Sequence, residues 1–275
     1  MNPLELRGVI KRYDGFTLGP IDLVVPRGYV MGFVGANGAG KTTTIKAALG
    51  LIHPDAGTAA TLDHGRLGVV YDQPAYVPEW RASDVGRGLA PFYDHWEAAR
   101  FDEMLAWAGI ESGKRVKDLS RGMGMKLQLA VALSHGAELL ILDEPTSGLD
   151  PLARTQLLEM IGEFMTDESH SVLFSTHITT DLEKIADHVT VIHDGRIVTS
   201  STRDELLDGY RMVRGAASGL VPEVRPLVLG LREHGVGWEG LMATEDTLGL
   251  GNTAIAEAPT LEQIVVHVAK ETHHV

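Results

Sequence analysis

The sequence predicts an α/β protein in which a mostly parallel sheet carries helices on both faces. Short apolar runs of strand length alternate with longer segments of helical periodicity, as they do when crossover helices join parallel strands. One such run, residues 29–34, leads directly into a glycine-rich loop and a predicted helix. The residues before it read as short strands separated by tight turns, which predicts an antiparallel β layer in front of the parallel core.

The predicted elements follow one another in a regular order. The strands are expected at 9–12, 17–25, 29–34, 67–71, 139–142, 171–175, 190–193 and 196–199, the last two joined by a tight Asp194-Gly195 turn. One helix is expected from the glycine-rich loop to about Leu49, where Gly50 is a suitable C-terminal cap. Further helices are expected at about 152–165 and 179–187, and a mainly helical stretch at about 74–136.

The last part of the chain differs in composition, because glycine becomes frequent from about residue 210. Two helices are predicted there: one carries Leu227, Val228 and Leu231, and the other begins with a Thr260/Gln263 capping box and has the apolar face Leu261, Ile264, Val265 and Val268. We divide the chain into a main domain at 1–209, with a helical subdomain at about 74–136, and a small α+β subdomain at 210–275. This subdomain could regulate, dimerise or brace the core, and His273-His274 is expected to be a solvated tail.

Composition excludes several classes of protein. The 275 residues carry 24 Lys and Arg against 37 Asp and Glu, a formal charge of −13, which argues against a broad positive face for nucleic acid or anionic lipid. Without cysteine the chain can form neither a disulfide nor a cysteine-ligated metal site. No stretch approaches the roughly 20 apolar residues that span a bilayer, and the N-terminus lacks the apolar segment of a signal peptide.

Residues 35–42 match the phosphate-binding pattern G-x-x-x-x-G-K-[ST]. The glycines let the backbone curl so that its N–H groups converge on one anion, and the following helix adds its positive end. Lys41 can reach the β- and γ-phosphates, and Thr42 offers a hydroxyl to Mg²⁺. The predicted nucleotide contacts are Gly35, Asn37, Gly38, Ala39, Gly40, Lys41, Thr42 and Thr43.

Two carboxylates follow a later apolar strand. Ligands of a parallel sheet bind at the carboxyl ends of its strands, so Asp143 is expected beside the phosphate loop, where it would hold Mg²⁺ with Thr42. Glu144 is expected to point elsewhere, because strand side chains alternate, and is free to polarise an attacking water. His177 follows the strand at 171–175 and is expected at the same edge, although a structural histidine is the alternative. Glu144 and His177 are thus the candidate catalytic residues.

A five-residue motif, Leu-Ser-Arg-Gly-Met at 119–123, stands before a predicted helix and upstream of the acidic strand. It resembles the signature motif of ABC transporter ATPases, usually written L-S-G-G-Q. The resemblance covers about residues 4–205 and includes Tyr13, the S-G-L-D loop at 147–150, and His177 as the switch histidine. The sequence lacks the N-K-x-D motif that reads guanine, which favours ATP over GTP.

The resemblance implies a site shared between two subunits. Tyr13 is expected to stack on the adenine of ATP, which is bound with Mg²⁺. Ser120 and Gly122 begin a helix and form a second anion site, which in the family caps the γ-phosphate held by another subunit. Asp150 belongs to the loop that runs across the interface between the subunits. Two ATP molecules are thereby enclosed between two heads, and hydrolysis opens the dimer.

The chain departs from the family pattern in two places. In the signature motif, Arg121 replaces a glycine and Met123 a glutamine, and Arg121 could either add charge near a phosphate or face solvent. After the strand at 67–71 the family has a glutamine that touches Mg²⁺ and water. The expected position is Asp72, with Gln73 one residue later. Either residue could serve, and we assign Gln73 as the ATP- and Mg²⁺-contacting residue.

The leading hypothesis is the ATP-binding and hydrolysing subunit of an ABC transporter. A finer resemblance, through Tyr71-Asp72 and the Ser-Arg-Gly-Met motif, is to bacterial exporter ATPases of the bacitracin-resistance and Ytr types. It implies a second ABC head, identical or different, and separate membrane permease subunits. The chain would lie in the cytoplasm at the inner face of the cell membrane. Tyr76, Trp80 and the aromatics at 92–96 are candidate docking anchors, or else core of the helical subdomain.

The alternative hypothesis is a soluble ABC ATPase that acts on nucleic acid or on the ribosome. Against it, the segment between the phosphate loop and the signature motif is too short for a long inserted coiled coil and shows no heptad run. The chain also carries one phosphate loop, whereas the ribosomal type usually carries two heads. No nucleic acid is therefore expected as a partner.

Overall fold

The computed structural model describes residues 2–250 and 254–271, except for the side chain of residue 271. Within these residues the strands are β1 (Leu4–Tyr13), β2 (Phe16–Val25), β3 (Val30–Val34), β4 (Ala56–Thr61), β5 (Leu67–Val70), β6 (Leu139–Asp143), β7 (Ser171–Thr176), β8 (His188–His193), β9 (Arg196–Thr202), β10 (Tyr210–Ala216), β11 (Leu229–His234), β12 (Gly237–Ala243) and β13 (Ala254–Glu257). The helices are α1 (Lys41–Ala48), α2 (Ala82–Leu89), α3 (Ala98–Trp107), α4 (Arg121–Ser134), α5 (Pro151–Phe164), α6 (Thr179–Ile185), α7 (Arg203–Gly209) and α8 (Leu261–Glu271). The predicted His273-His274 tail lies outside the described residues.

The core is a sheet with the strand order β5-β6-β7-β3-β8-β9. Its first five members are parallel, and β9 returns antiparallel to β8. Strands β3, β6 and β7 are buried along their whole length, as expected for apolar strands with both faces covered. The predicted α/β class is confirmed. Because β7 lies between β3 and β6, the residues that follow these three strands meet at one edge of the sheet.

The predicted antiparallel layer is a sheet of order β2-β1-β4. Its inner side chains Leu6 and Ile21 pack in one apolar cluster with Phe33 of β3 and Ile45 of α1, which fixes the layer against the first strand and helix of the site. Strand β4 has no counterpart among the predicted strands. Its Ala, Gly and Thr residues are mostly exposed and give no apolar alternation, so only pairing with β1 reveals it.

The helical stretch at 74–136 contains α2, α3 and α4, as predicted. Its aromatic residues divide into two groups. Tyr93 stacks on the buried His135, with ring centroids 4.0 Å apart, and Trp96 packs on Phe101. Phe92, by contrast, is 80% exposed. Part of the aromatic content therefore forms the core of this region, and part is available at its surface.

The C-terminal segment forms an antiparallel sheet of order β11-β12-β10-β13, on which α8 packs. The predicted capping box of α8 is present: Thr260 N donates to Gln263 Oε1 at 2.9 Å, and Gln263 N donates to Thr260 Oγ1 at 3.2 Å. The backbone of Leu261 also donates to Glu183 of α6 at 3.0 Å, which ties the start of α8 to the main body. The sheet begins at Tyr210, next to the boundary proposed between 1–209 and 210–275, and that division stays a prediction.

The helix predicted around Leu227, Val228 and Leu231 is wrong. Residues from Leu229 onward belong to β11, which pairs with β12. The spacing of the three apolar residues suits a helix, but Gly230 has a φ of 57°, outside the right-handed helical region. Pairing with β12 satisfies the backbone of this segment, so tertiary context overrides the local pattern.

No helix among the described residues is both long and apolar enough to cross a membrane.

The packing of α8 generates a prediction about stability. Ile264 is fully buried, so Ile264→Ala should lower the free energy of unfolding by about 2–4 kcal/mol through lost burial and the cavity left behind. Val266 on the same helix is 38% exposed, so Val266→Ala should cost less than about 1 kcal/mol. Urea unfolding followed by circular dichroism measures both, and equal losses would contradict the packing described.

Candidate nucleotide site

The phosphate loop joins β3 to α1, and its shape depends on glycine. Gly40 has a φ of 111° at the start of α1, a conformation that side chains with a Cβ rarely adopt. At Gly35 a Cβ would lie 2.3 Å from the carbonyl oxygen of Ile192, so the backbone can pass only without a side chain. The loop turns sharply between these points and leaves Asn37 and Gly38 exposed, while Ala39 is buried and Thr43 half-buried.

Lys41 lies almost fully buried at the base of this loop, with 5% of its surface exposed. Its ammonium group donates to the carbonyl oxygens of Gly35 at 2.7 Å and Ala36 at 3.2 Å. It also lies 3.0 Å from Glu144 Oε1, as an ion pair rather than a hydrogen bond. A buried ammonium is costly without such partners, so the loop and the acidic strand together stabilise its charge.

Asp143 links the end of β6 to the phosphate loop and to β7. Thr42 Oγ1 donates to Asp143 Oδ2 at 2.7 Å, and Ser175 Oγ donates to Asp143 Oδ1 at 3.0 Å. The sheet register places Asp143 beside Ser175, so the second contact follows from strand pairing. A carboxylate and a hydroxyl this close are oxygen donors of the kind Mg²⁺ takes when it keeps several waters and phosphate ligands. The residues present therefore fit Mg²⁺.

Glu144 turns away from Asp143 because its backbone is left-handed, with a φ of 53°. Its N–H donates to Ser175 O at 2.9 Å, which holds the turn against β7. Its carboxylate lies between two basic groups: Oε1 faces Lys41, and Oε2 is 2.7 Å from Nδ1 of His177. The structure thus brings together the phosphate-loop lysine and both candidate catalytic residues.

The signature motif and the loop at 147–150 form helix starts, as predicted. Ser120 caps α4, its Oγ accepting from Met123 N at 3.3 Å. Asp150 caps α5, with Oδ1 accepting from the N–H groups of Leu152 and Ala153, each at 3.0 Å. The two segments touch, since a Cβ at Gly122 would lie 3.2 Å from Leu149.

Tyr13, the predicted adenine contact, lies at the end of β1. It pairs with Phe16 across the turn into β2, and 46% of its surface is exposed. Lys11 Nζ lies 6.0 Å from the ring centroid. An exposed aromatic face of this kind is able to stack on a base.

The segment after β5 is held by a residue that the sequence reasoning missed. Gln128 of α4 accepts from Tyr71 N at 3.0 Å and donates to Tyr71 O at 2.9 Å. Asp72 pairs with Arg121 at the start of α4, and Gln73 is exposed. Burial, and then the charge of Asp143, raise the pKa of the Tyr71 hydroxyl above its ordinary value.

A signal for Gln128 exists in the sequence. It is a polar residue inside the apolar run of α4, and a buried amide must find partners. The sequence predicts only a strand at Ser175, and in the structure its hydroxyl holds Asp143. The strand register that brings these two together is visible only in the sheet.

A cavity of about 590 Å³ lies beside the phosphate loop. Its wall combines residues 35–37 of the loop with residues 177–180, which include His177. Glu262, Val265 and Val266 of α8 line the opposite side. The C-terminal segment therefore reaches the surroundings of the candidate site, although no sequence motif connects the two.

Comparison with known proteins indicates the same family as the motifs. The sequence pattern of the ABC transporter family matches residues 18–147. The chain is 33% identical over 198 residues to the bacitracin transport ATP-binding protein BcrA of Bacillus licheniformis. It is 34% identical over 222 residues to the Nod factor export ATP-binding protein I of Burkholderia orbicola, a match that covers 75% of this chain and 73% of that protein. This chain belongs to the ABC transporter family.

The ABC transporter resemblance read from the motifs is thereby confirmed. The BcrA match covers 68% of this chain and 65% of that protein, so the chain spans slightly less than two thirds of its length. Among solved structures, an ATP-binding subunit of an ABC transporter matches with 28% identity and a TM-score of 0.67. That match covers 74% of this chain and 91% of the other, which supports the ABC fold assigned to the main body.

Gln128 generates a prediction for this site. In Gln128→Leu the Tyr71 N–H and C=O would lose their partners at a partly buried position, so the free energy of unfolding should fall by about 2 kcal/mol. Gln156→Leu is the matched control, because that side chain accepts one hydrogen bond from Lys126, and its loss should cost about 1 kcal/mol or less. Chemical unfolding curves compare the two, and a silent Gln128→Leu would contradict the bridging role.

Proposed function

We propose that this chain is the ATP-binding and ATP-hydrolysing subunit of a bacterial ABC exporter. The observation that carries the proposal is the cluster at the carboxyl edge of β3, β6 and β7. There Thr42 lies against Asp143, while Glu144 lies between Lys41 and His177. A phosphate loop beside two differently oriented carboxylates is the arrangement that phosphoryl transfer to water requires.

ATP binding uses the loop and its lysine. The N–H groups around Gly38 and Gly40 face the β- and γ-phosphates, and Lys41 exchanges its carbonyl contacts for phosphate oxygens. Tyr13 would stack on the adenine, and Thr42 and Asp143 would hold Mg²⁺, which when bound would neutralise charge on the phosphates. Gln73, which is exposed after β5, would supply the further contact with ATP and Mg²⁺.

Hydrolysis needs a base for the attacking water. Glu144 takes this role, since its carboxylate lies beside Lys41 and so close to the end of the phosphate chain. His177 fixes the orientation of that carboxylate through the 2.7 Å contact with Oε2 and reaches the γ-phosphate from the same edge. When Lys41 moves to phosphate, Glu144 loses its cationic partner and is free to accept a proton from water.

A complete site requires a second ABC head, identical or different. Ser120 and Gly122 lie at the N-terminus of α4, where the helix offers partial positive charge to an anion. In the dimer this end caps the γ-phosphate held by the other head, and Asp150 lies in the loop between the heads. Closing and opening of the dimer then convert hydrolysis into movement of the partner subunits.

The export role rests on the relatives. BcrA is described as a bacitracin transport protein and the Burkholderia relative as a Nod factor export protein. The chain would work with separate membrane permeases at the inner face of the cell membrane, with no nucleic acid as partner. Phe92, at the surface of the helical region, is the most exposed candidate anchor for a permease.

The base assignment yields a prediction. Glu144→Gln should keep ATP binding but lower kcat for ATP hydrolysis by roughly 10²–10⁴-fold, because the amide cannot accept the proton. With ATP and Mg²⁺ the variant should accumulate as a closed dimer, measured by size-exclusion chromatography with light scattering. Unchanged turnover would remove Glu144 as the base.

Two controls separate binding from dimerisation in this experiment. Lys41→Ala should lose ATP binding and therefore turnover, and full retention would contradict the phosphate-loop assignment. In the Glu144→Gln background, Ser120→Arg should bind ATP yet stay monomeric, because a bulky cation blocks the cap. If that double variant dimerises normally, the shared site is wrong.

The transport role has its own test. Purification from membranes should recover the chain together with a polytopic permease, and the Phe92→Asp variant should recover less of it than Val236→Asp, which makes the same change at a similarly exposed residue between β11 and β12. Recovery with ribosomes or DNA instead would overturn the transport proposal.

A further inference from the structure

The two departures from the family pattern meet in one contact. Arg121, in the signature motif, forms an ion pair with Asp72, in the segment after β5. Both side chains are half-exposed, so the pair lies at the surface rather than in the core. An ion pair of this kind contributes little to stability, and its effect is on where the two segments lie relative to one another.

The same face of α4 also holds Tyr71, the residue before Asp72. Gln128 lies seven positions after Arg121, two helical turns along, and is 2% exposed. Its amide makes both hydrogen bonds to the backbone of Tyr71. Two successive residues of the segment after β5 are therefore attached to one helix face, deeply through Gln128 and at the surface through Arg121.

Arg121 also contacts the loop at 147–150. A Cβ at Gly148 would lie 2.8 Å from Arg121 Nη1 and 3.4 Å from Cζ, so the guanidinium lies directly against this glycine. Gly148 has a φ of 71°, which favours glycine independently of the contact. One side chain thus touches the segment after β5 and the loop between the heads, from a position next to Ser120.

We propose that Arg121 is a positioning residue which couples the segment after β5 to the signature helix and to the loop at 147–150 of the same chain. We name the contact of Arg121 with Asp72 and Gly148 the Arg121 junction. The inference rests on the proposed function, because it states how Ser120 and Gly122 are held ready for the ATP of the other head. Without the junction the first turn of α4 is less well oriented.

The junction answers the question that Arg121 raises in the sequence. Arg121 is half-exposed to solvent and is paired with Asp72, so a carboxylate of its own chain balances its charge. We therefore expect its substitution to affect dimer closure through orientation rather than through loss of a direct phosphate contact. A direct phosphate contact makes a different prediction, since Asp72 would then not be needed.

A double-mutant cycle tests the coupling. In the Glu144→Gln background, Arg121→Gln and Asp72→Asn should each raise the ATP concentration for half-maximal dimerisation on the order of tenfold. The double variant should show no further loss, and the exchanged pair Asp72→Arg/Arg121→Asp should recover part of it. When Glu144 is retained, Arg121→Gln and Asp72→Asn should each lower kcat for ATP hydrolysis, while the melting temperature changes little.

The matched control is the Arg100–Glu103 pair on α3, another exposed ion pair of the helical region. Arg100→Gln should leave dimerisation and kcat unchanged. Losses that add in the double variant, or a loss for Arg121→Gln without one for Asp72→Asn, would overturn the junction. A fall in melting temperature that accounts for the lost activity would also overturn it, since the role would then be structural.

The experiment distinguishes this inference from the proposed function. If the Glu144→Gln chain itself fails to dimerise with ATP, the shared-site proposal fails, and the kcat cycle still tests the junction. If it dimerises and the Arg121 and Asp72 variants dimerise equally well, the proposed function stands and the junction is wrong.

Discussion

The hydrogen bond from Thr42 to Asp143 joins two residues that lie 101 positions apart in the sequence, and the site depends on it. The strand order β6-β7-β3 brings the ends of β3 and β6 to the same edge of the sheet. Ser175, on the strand between them, holds the other carboxylate oxygen of Asp143. Asp143 is therefore fixed from the phosphate loop and from the neighbouring strand together. A carboxylate held at both oxygens has little freedom to rotate, which suits the Mg²⁺-binding role proposed for Asp143.

Glu144 shows how the same edge of the sheet holds two neighbouring carboxylates in different surroundings. A left-handed backbone at a residue with a Cβ costs on the order of 1–2 kcal/mol, and it persists here because Ser175 O accepts from the Glu144 N–H. This conformation directs the side chain toward Lys41 and His177, so the two neighbouring carboxylates have different partners.

Much of this arrangement can be predicted from sequence because its causes are local. A phosphate loop after an apolar strand, and an acidic pair after another, fix the edge at which Lys41, Thr42 and Asp143 meet. The contacts of Ser175 and Gln128 escape prediction because each depends on pairing between segments far apart. The positions of β4 and of the individual C-terminal strands escape it for a related reason. Their residues carry weak patterns, and neighbouring strands decide their conformation.

The departures of Arg121 and Asp72 from the family pattern are best understood together. Taken singly, a basic residue in the signature motif and an acidic one after β5 would each add an uncompensated charge to the surface. In the fold they pair, so their charges balance each other. The pair adds a second connection between the segment after β5 and α4. Gln128 bonds to the backbone of Tyr71, and the ion pair connects Asp72 to Arg121, next to Ser120 in the first turn of the helix. A charge pair has thus become part of the connection between the segment after β5 and the signature helix.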